Sequence, residues 1–302
     1  MKPFQTLLYY KYVAIPNAEE FAQQHLAFCE RLGLVGRIII ADEGLNGTVS
    51  GTIVQCKKYM DKLNNDLLFS GIDFKIDEVD EPSFSALHLR YKSEIVNSGT
   101  KNWNLNPAQK TGVHLEPKEF AEMKDREDVV VLDVRSNYES NLGRFKNAIP
   151  MDIDNFREMP ESLHQIEHLK GKKILTYCTG GIKCEKASAL LLEAGFKEVY
   201  QLHGGIIKYG KEMGGKDFDG NCYVFDKRVS VPVNSVNPTV ISTCRNCGTE
   251  STHMINCANA DCNEHFVLCE KCGWEMDGCC SDECLAAPAK RMYDGTGYYS
   301  RY

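Results

Sequence analysis

Apolar positions in the first quarter of the chain change period repeatedly, and each change marks an element boundary. Thr6 to Val13 is an apolar, tyrosine-rich run, Ala18 to Leu32 carries apolar residues at three- and four-residue spacing, and Gly36 to Ala41 is again a short apolar run. This predicts strand, amphipathic helix and strand. Asp42-Glu43-Gly44-Leu45-Asn46-Gly47 then reads as a turn, because Asn-Gly is a strong turn dipeptide. Thr48-Val49-Ser50 continues as the paired strand, Ile53 to Leu67 is helical, and Asp73 to Val79 is a further strand. The order βαββαβ predicts a ferredoxin-like α+β sandwich over residues 1–90, a fold that implies no function by itself. Within the turn, Glu43 and Asn46 either face a substrate or serve only the hairpin.

A linker is expected over residues 91–117. Around it, Phe84 to Gly112 interleaves His88, Arg90, Tyr91, Lys92, Lys101 and Trp103. Basic and aromatic residues in alternation suit phosphate contacts with base stacking, which makes Arg90 and Lys92 candidate RNA contacts. The alternative is a solvated linker pinned to its neighbour by Trp103 and Leu105.

The next region, 118–220, alternates strands with helices. Val129 to Arg135 is a hydrophobic strand ending in an acid and a base, Asp133 and Arg135, Lys173 to Tyr177 is a second, and Val199 to Leu202 a third. Between the last two, Cys178-Thr179-Gly180-Gly181-Ile182-Lys183-Cys184 opens a glycine-rich turn at the start of a helix that includes Glu185 to Ala194. Backbone N–H groups of such a turn point at the Cys178 sulfur, and Lys183 adds positive potential, so the site favours a thiolate or a terminal persulfide. Thr179, Gly180, Gly181 and Ile182 would line whatever approaches the sulfur. Cys184 either packs the first helical turn or meets Cys178 as a redox partner. Asp133 and Arg135 are expected to brace the loop.

Charge and cysteine content narrow the class. With 35 basic and 42 acidic residues the chain carries a formal charge of −7, which does not advertise generic nucleic-acid binding and leaves that role to a local basic surface. No charged-then-apolar leader and no apolar run near membrane-spanning length is visible, so a cytoplasmic protein is expected. Fourteen cysteines then point to reduced thiols, metal ligation or catalysis. Nine of them crowd the segment from Cys244 to Cys284, inside a third region, 221–302. Cys244-x-x-Cys247 and Cys269-x-x-Cys272 suit one tetrahedral zinc. Cys257, Cys262, Cys280 and Cys284 would close a second, with sequential or interleaved pairing open and with Cys279, His253 or His265 as substitute ligands. Disulfides are the alternative. Lys290-Arg291-Met292-Tyr293 and Gly297 to Tyr302 form a basic, tyrosine-rich tail, either disordered or in contact with RNA. No facial triad or nucleotide-binding glycine fingerprint stands out, and no redox cofactor is assigned.

The strand-ending Asp133-x-Arg135, the Cys178-x-x-Gly181-x-Lys183 loop and the late Gly204-Gly205 turn together resemble a rhodanese domain over roughly residues 118 to 215. That resemblance implies a parallel-sheet α/β domain in which Cys178 carries sulfur as a persulfide. Lys183 stands where arginine is common, and Arg144-Phe145 replaces the usual histidine and aliphatic pair. The whole order, roughly residues 5 to 285, resembles the bacterial rhodanese-domain tRNA uridine hydroxylases, most specifically in Cys178 to Lys186. The resemblance implies hydroxylation of the wobble uridine in the tRNA anticodon loop to 5-hydroxyuridine, with molecular oxygen as co-substrate. Cys178 would act as a thiolate adding at C6 of the base or as a redox-active persulfide fed by a sulfur donor, with Lys183, Arg135, Asp133 and Cys184 around it. A plain sulfurtransferase and a non-catalytic docking module are the rival readings.

Overall fold

In the computed structural model, which describes residues 2–103 and 105–299, the first unit is built from β1 (Phe4–Tyr12), α1 (Ala18–Leu32), β2 (Val35–Ala41), β3 (Gly44–Thr52), α2 (Ile53–Asn64) and β4 (Lys75–Val79). Its sheet runs β4-β1-β3-β2, the ferredoxin-like order, and β5 (Leu87–Tyr91) adds to it as a fifth strand parallel to β2. Local chemistry sets the helix ends. Gly33 at φ 71 stops α1 by returning its N–H to the last turn, and Thr52 with Gln55 forms a capping box that starts α2. The two helices cover one face of the sheet, burying Leu7, Tyr9, Ile38, Ile40, Leu45 and Val49.

Asn46-Gly47 is not the turn that its chemistry suggested. Ala41 pairs with Gly44, so the hairpin turns on Asp42-Glu43 alone and Asn46-Gly47 lies inside β3. Gly47 is required there for a different reason: a Cβ would sit 2.1 Å from the Tyr9 hydroxyl. Gly44, at φ 148, passes so close to the Lys11 carbonyl that a side chain has no room.

The second unit is a five-stranded parallel sheet in the order β6-β11-β10-β7-β9, formed by β6 (Val113–Leu115), β7 (Val129–Asp133), β9 (Ile149–Pro150), β10 (Lys173–Tyr177) and β11 (Val199–Leu202). The helices α3 (Pro117–Met123), α4 (Asn137–Leu142), α5 (Ile182–Glu193) and α6 (Gly205–Met213) accompany it. Because β6 belongs to this sheet, the unit begins before residue 118, inside the stretch expected as linker. Trp103 and Leu105 pack against its core, which is the pinning role considered for them.

The third region is sewn to the second. β12 (Phe218–Tyr223) pairs with β8 (Gly143–Phe145) and with β13 (Ser230–Pro232), after which β14 (Met254–Asn256), β15 (His265–Val267), α7 (Glu270–Glu275) and α8 (Asp282–Leu285) surround the cysteines. Of the tail, Ser300 to Tyr302 lie outside the described residues. Among the described residues no helix is long and apolar enough to cross a membrane.

Candidate active site

The parallel strand β10 delivers Cys178 to its C-terminal end, and α5 begins four residues later. Crossing from strand to helix in so few residues needs the left-handed backbone of Gly181, at φ 100. The turn folds over the sulfur. The Gly181 N–H donates to Cys178 Sγ at 3.2 Å, while Ile206 and Ile207 at the start of α6 donate their N–H groups to the Cys178 and Thr179 carbonyls. Thr179 Oγ1 donates to the Tyr223 carbonyl and ties the loop to β12.

Burial by itself would raise the Cys178 thiol. The Cys184 thiol, the Lys183 ammonium and the N–H groups of Cys184 and Gly181 outweigh it and hold the group down at about 7. Cys184, fully buried, is pushed the other way by burial and by the same contact. The opposite shifts assign Cys178 the anionic end of the pair and Cys184 the protonated one. Loss of that donor moves the Cys178 titration upward: Cys184→Ala is expected to shift the midpoint of iodoacetamide alkylation at Cys178, followed by peptide mass spectrometry against pH, to a higher pH than in the wild type. An unchanged midpoint would remove Cys184 from the anion's support.

The first unit roofs this loop. A Cβ on Gly180 would lie 2.8 Å from Leu8 and one on Gly181 would lie 2.9 Å from the Tyr10 hydroxyl, so the glycine pair also makes room for β1. The adjoining residues bolt the two units together. Tyr10 Oη donates to Glu185 Oε1 at 2.9 Å, and Glu185 also accepts from Thr111 and Gln201 and pairs with His114. Lys186, almost wholly buried, reaches Glu43 and Glu94 at 2.8 Å each. Glu43 and Asn46 both grip the connecting segment, accepting from the Ile95 N–H and donating to the Ile95 carbonyl respectively.

Between roof and loop lies a cleft of about 340 Å³, within the range of small-ligand sites. Leu8, Tyr10, Ile39 and Thr48 of the first sheet line one wall, Ile95 to Asn97 another, and Cys178, Thr179, Gly180, Ile182 and Lys183 the floor. Asn46 reaches it as well, whereas Glu43 is held behind it. Arg37 and Phe225 stand at the mouth, with the Lys183 ammonium 5.5 Å from the Phe225 ring centre and paired to buried Glu139. Asp133 and Arg135 are elsewhere. Both are fully buried, joined through two hydrogen bonds at 2.9 and 2.6 Å, and bonded to Tyr177 and the Gly143 carbonyl beneath the loop. Arg90 and Lys92 are exposed along β5 and after it, outside the cleft. Leu8, Tyr10, Arg37 and Phe225 escaped sequence reasoning because their only signal is the docking of one unit on another.

The cysteines of the third region form two interleaved sets, Cys244-Cys247-Cys269-Cys272 and Cys257-Cys262-Cys280-Cys284, each with its ligand atoms within 4.8 Å of one another. No two of these sulfurs are bonded to each other. Sulfur separations of 3.7 Å (Cys247 to Cys269) and 3.6 Å (Cys262 to Cys280) match the roughly 3.8 Å edge of a tetrahedron with metal–sulfur bonds of about 2.3 Å. Asn246 and Asn259 donate amides to Cys272 and Cys284, the outer contacts such a centre needs. Either set could therefore hold a metal ion. Cys279, His253 and His265 are not part of them: His253 bonds the Leu268 and Gly295 carbonyls, and His265 stacks on Tyr138 at 4.4 Å.

An acidified cysteine on a glycine loop at the end of a parallel sheet, roofed by a ferredoxin-like unit, defines a rhodanese-domain thiol protein. Family models agree in all three regions: a UPF0176 acylphosphatase like domain over residues 4–95, a Rhodanese-like domain over 116–212 and a Rhodanase C-terminal segment over 219–285. The chain is 58% identical over 301 residues to a tRNA uridine(34) hydroxylase of Cytophaga hutchinsonii, covering 100% of this chain and 96% of that one. It is 48% identical over 293 residues to the proteins of the same name from Bacillus mycoides and Bacillus thuringiensis, covering 96% of this chain and 92% of each of those. The chain belongs to the tRNA uridine(34) hydroxylase family.

Proposed function

We propose that this protein hydroxylates C5 of the wobble uridine of tRNA, with Cys178 as the attacking thiolate and molecular oxygen as co-substrate. The reading rests on one arrangement, a thiolate-favouring sulfur and Lys183 at the floor of an apolar cleft with Arg37 near its mouth. A flat pyrimidine fits apolar walls, and Arg37, in no ion pair among the described residues, suits a phosphate of the strand that carries it. Sulfur addition at C6 places electron density on C5, where dioxygen reacts. Insertion of one oxygen atom into the C5–H bond releases the other as water and consumes two electrons and two protons. Elimination of Cys178 with loss of the C5 proton leaves a C5 hydroperoxide; the freed thiolate takes its outer oxygen, giving 5-hydroxyuridine and a Cys178 sulfenic acid, which condenses with Cys184 to a disulfide and water, and a solution thiol restores both cysteines.

Plain sulfurtransfer fits less well. Cys178 is 1% exposed and lines a cleft that the first unit helps to build, which a small inorganic sulfur donor does not need. In this reading Asp133 and Arg135 position the loop from below, Arg90 and Lys92 contact RNA outside the cleft, zinc fills the two cysteine sets as a structural ion, and the enzyme works in the cytoplasm, where thiols stay reduced. Reaction under isotopically heavy dioxygen tests the oxidant. The modified nucleoside should gain the heavy atom; a light atom taken from water would sink the oxygen-dependent mechanism.

A further inference from the structure

A second cleft, of about 760 Å³, meets the first at Arg37 and Phe225 and runs between α4 and the cysteine-bearing region. Its chemistry differs. The Tyr138 and His265 rings lie parallel within 17° at 4.4 Å and present an aromatic platform. Two polar atoms among its lining residues are buried with no partner among the described residues: Asn256 Oδ1, on a side chain more than nine-tenths buried, and Tyr299 Oη. An orphaned buried amide oxygen is destabilising unless a ligand or water satisfies it, so its presence beside an open platform points to an occupant that donates hydrogen bonds.

The charges narrow that occupant further. Arg245 is held by Glu264 through two hydrogen bonds, and Asp154 accepts from Asn137, so the cleft offers little net positive charge. It suits a neutral, planar group with donors at its edge. Arg37, at the junction of the two clefts, is different: its guanidinium is bonded to the Tyr298 hydroxyl at 3.2 Å and is in no ion pair among the described residues.

From this geometry we infer a second nucleotide subsite: the base adjoining the target uridine stacks at Tyr138 and His265 with its edge on Asn256 and Tyr299, and Arg37 takes the phosphate joining the two nucleotides. The inference rests on the RNA reading of the Cys178 cleft and adds what that reading lacks, the recognition of an unpaired neighbour. It would select a splayed single strand, since a stacked helix cannot give up two adjacent bases cheaply.

The test uses the full chain and a fluorescently labelled anticodon stem-loop RNA with uridine at the wobble position, alongside versions in which each neighbour of that uridine is abasic in turn. One abasic version is expected to bind wild-type protein about tenfold more weakly, in line with the loss of one stacked base. His265→Ala, or Tyr138→Leu if the first variant misfolds by circular dichroism, is expected to lose about the same factor with intact RNA and little more with the abasic one. Equal abasic penalties in wild type and variant, or no abasic penalty, would overturn the subsite while leaving the Cys178 reading in place. Failure of the intact stem-loop to bind at all would overturn both.

Discussion

Cys178→Ser is expected to lower the initial rate of uridine modification by about 10³-fold or more, because a hydroxyl in the same place is not ionised near neutral pH and cannot attack the ring. The substitution is nearly isosteric, and the buried loop that holds the sulfur is fixed by backbone bonds from Gly181, Ile206 and Ile207, so the fold should survive. Nucleoside analysis of tRNA by mass spectrometry, with thermal unfolding as the control for folding, separates lost chemistry from lost structure. Retained modification by a folded Cys178→Ser protein would move the chemistry to another group. The rate should also fall as pH drops below about 7, where the thiolate is protonated.

Metal removal is the second large effect. The core of the third region contains Cys244, Cys257, Cys272, Cys279 and Cys284 among only a few large apolar residues, Ile255, Phe266, Leu268 and Tyr293 chief among them. With zinc in both sets, as proposed, ligation would hold such a core together, since apparent binding energies of roughly 10–16 kcal/mol per structural zinc are available for that purpose. Treatment with a strong chelator is expected to release two ions per chain, one from each set, expose all eight sulfurs to thiol reagents and lower the first unfolding transition. Release of the ions with no gain in thiol reactivity would show that the region folds without them. Because Tyr298 bonds Arg37 at the mouth of the Cys178 cleft, chelation should also weaken RNA binding.

How much of this was legible depends on whether the cause is local. Helix α1 could be read to its ends because its apolar spacing stops at a glycine that takes the left-handed conformation. Strand β10 and the start of the Cys178 loop were equally visible, as an apolar run giving way to glycines. Asn46-Gly47 misled because a turn dipeptide and a strand glycine beneath a tyrosine ring look the same in sequence. The cysteine spacing announced both tetrahedral sets and left open only sequential against interleaved pairing, which depends on how β14 and β15 bring distant knuckles together. In the string Cys184-Glu185-Lys186, the helix was visible but not the work of its charges: Glu185 and Lys186 lie on buried faces and close onto Tyr10 and Glu43 of the first unit and Glu94 of the connecting segment. A buried ion pair between domains leaves no periodic trace. The same holds for Arg37 and Phe225, which matter only because two clefts meet at them.

The attack of the Cys178 sulfur on the pyrimidine ring can be tested without relying on turnover. An anticodon stem-loop carrying 5-fluorouridine at the wobble position, incubated with the protein without dioxygen, should become covalently attached through C6 of the base to the Cys178 peptide, and Cys178→Ser should give no such adduct. Attachment at a different residue, or no attachment under conditions where the same protein binds this RNA and hydroxylates ordinary tRNA in air, would contradict a nucleophilic role for Cys178.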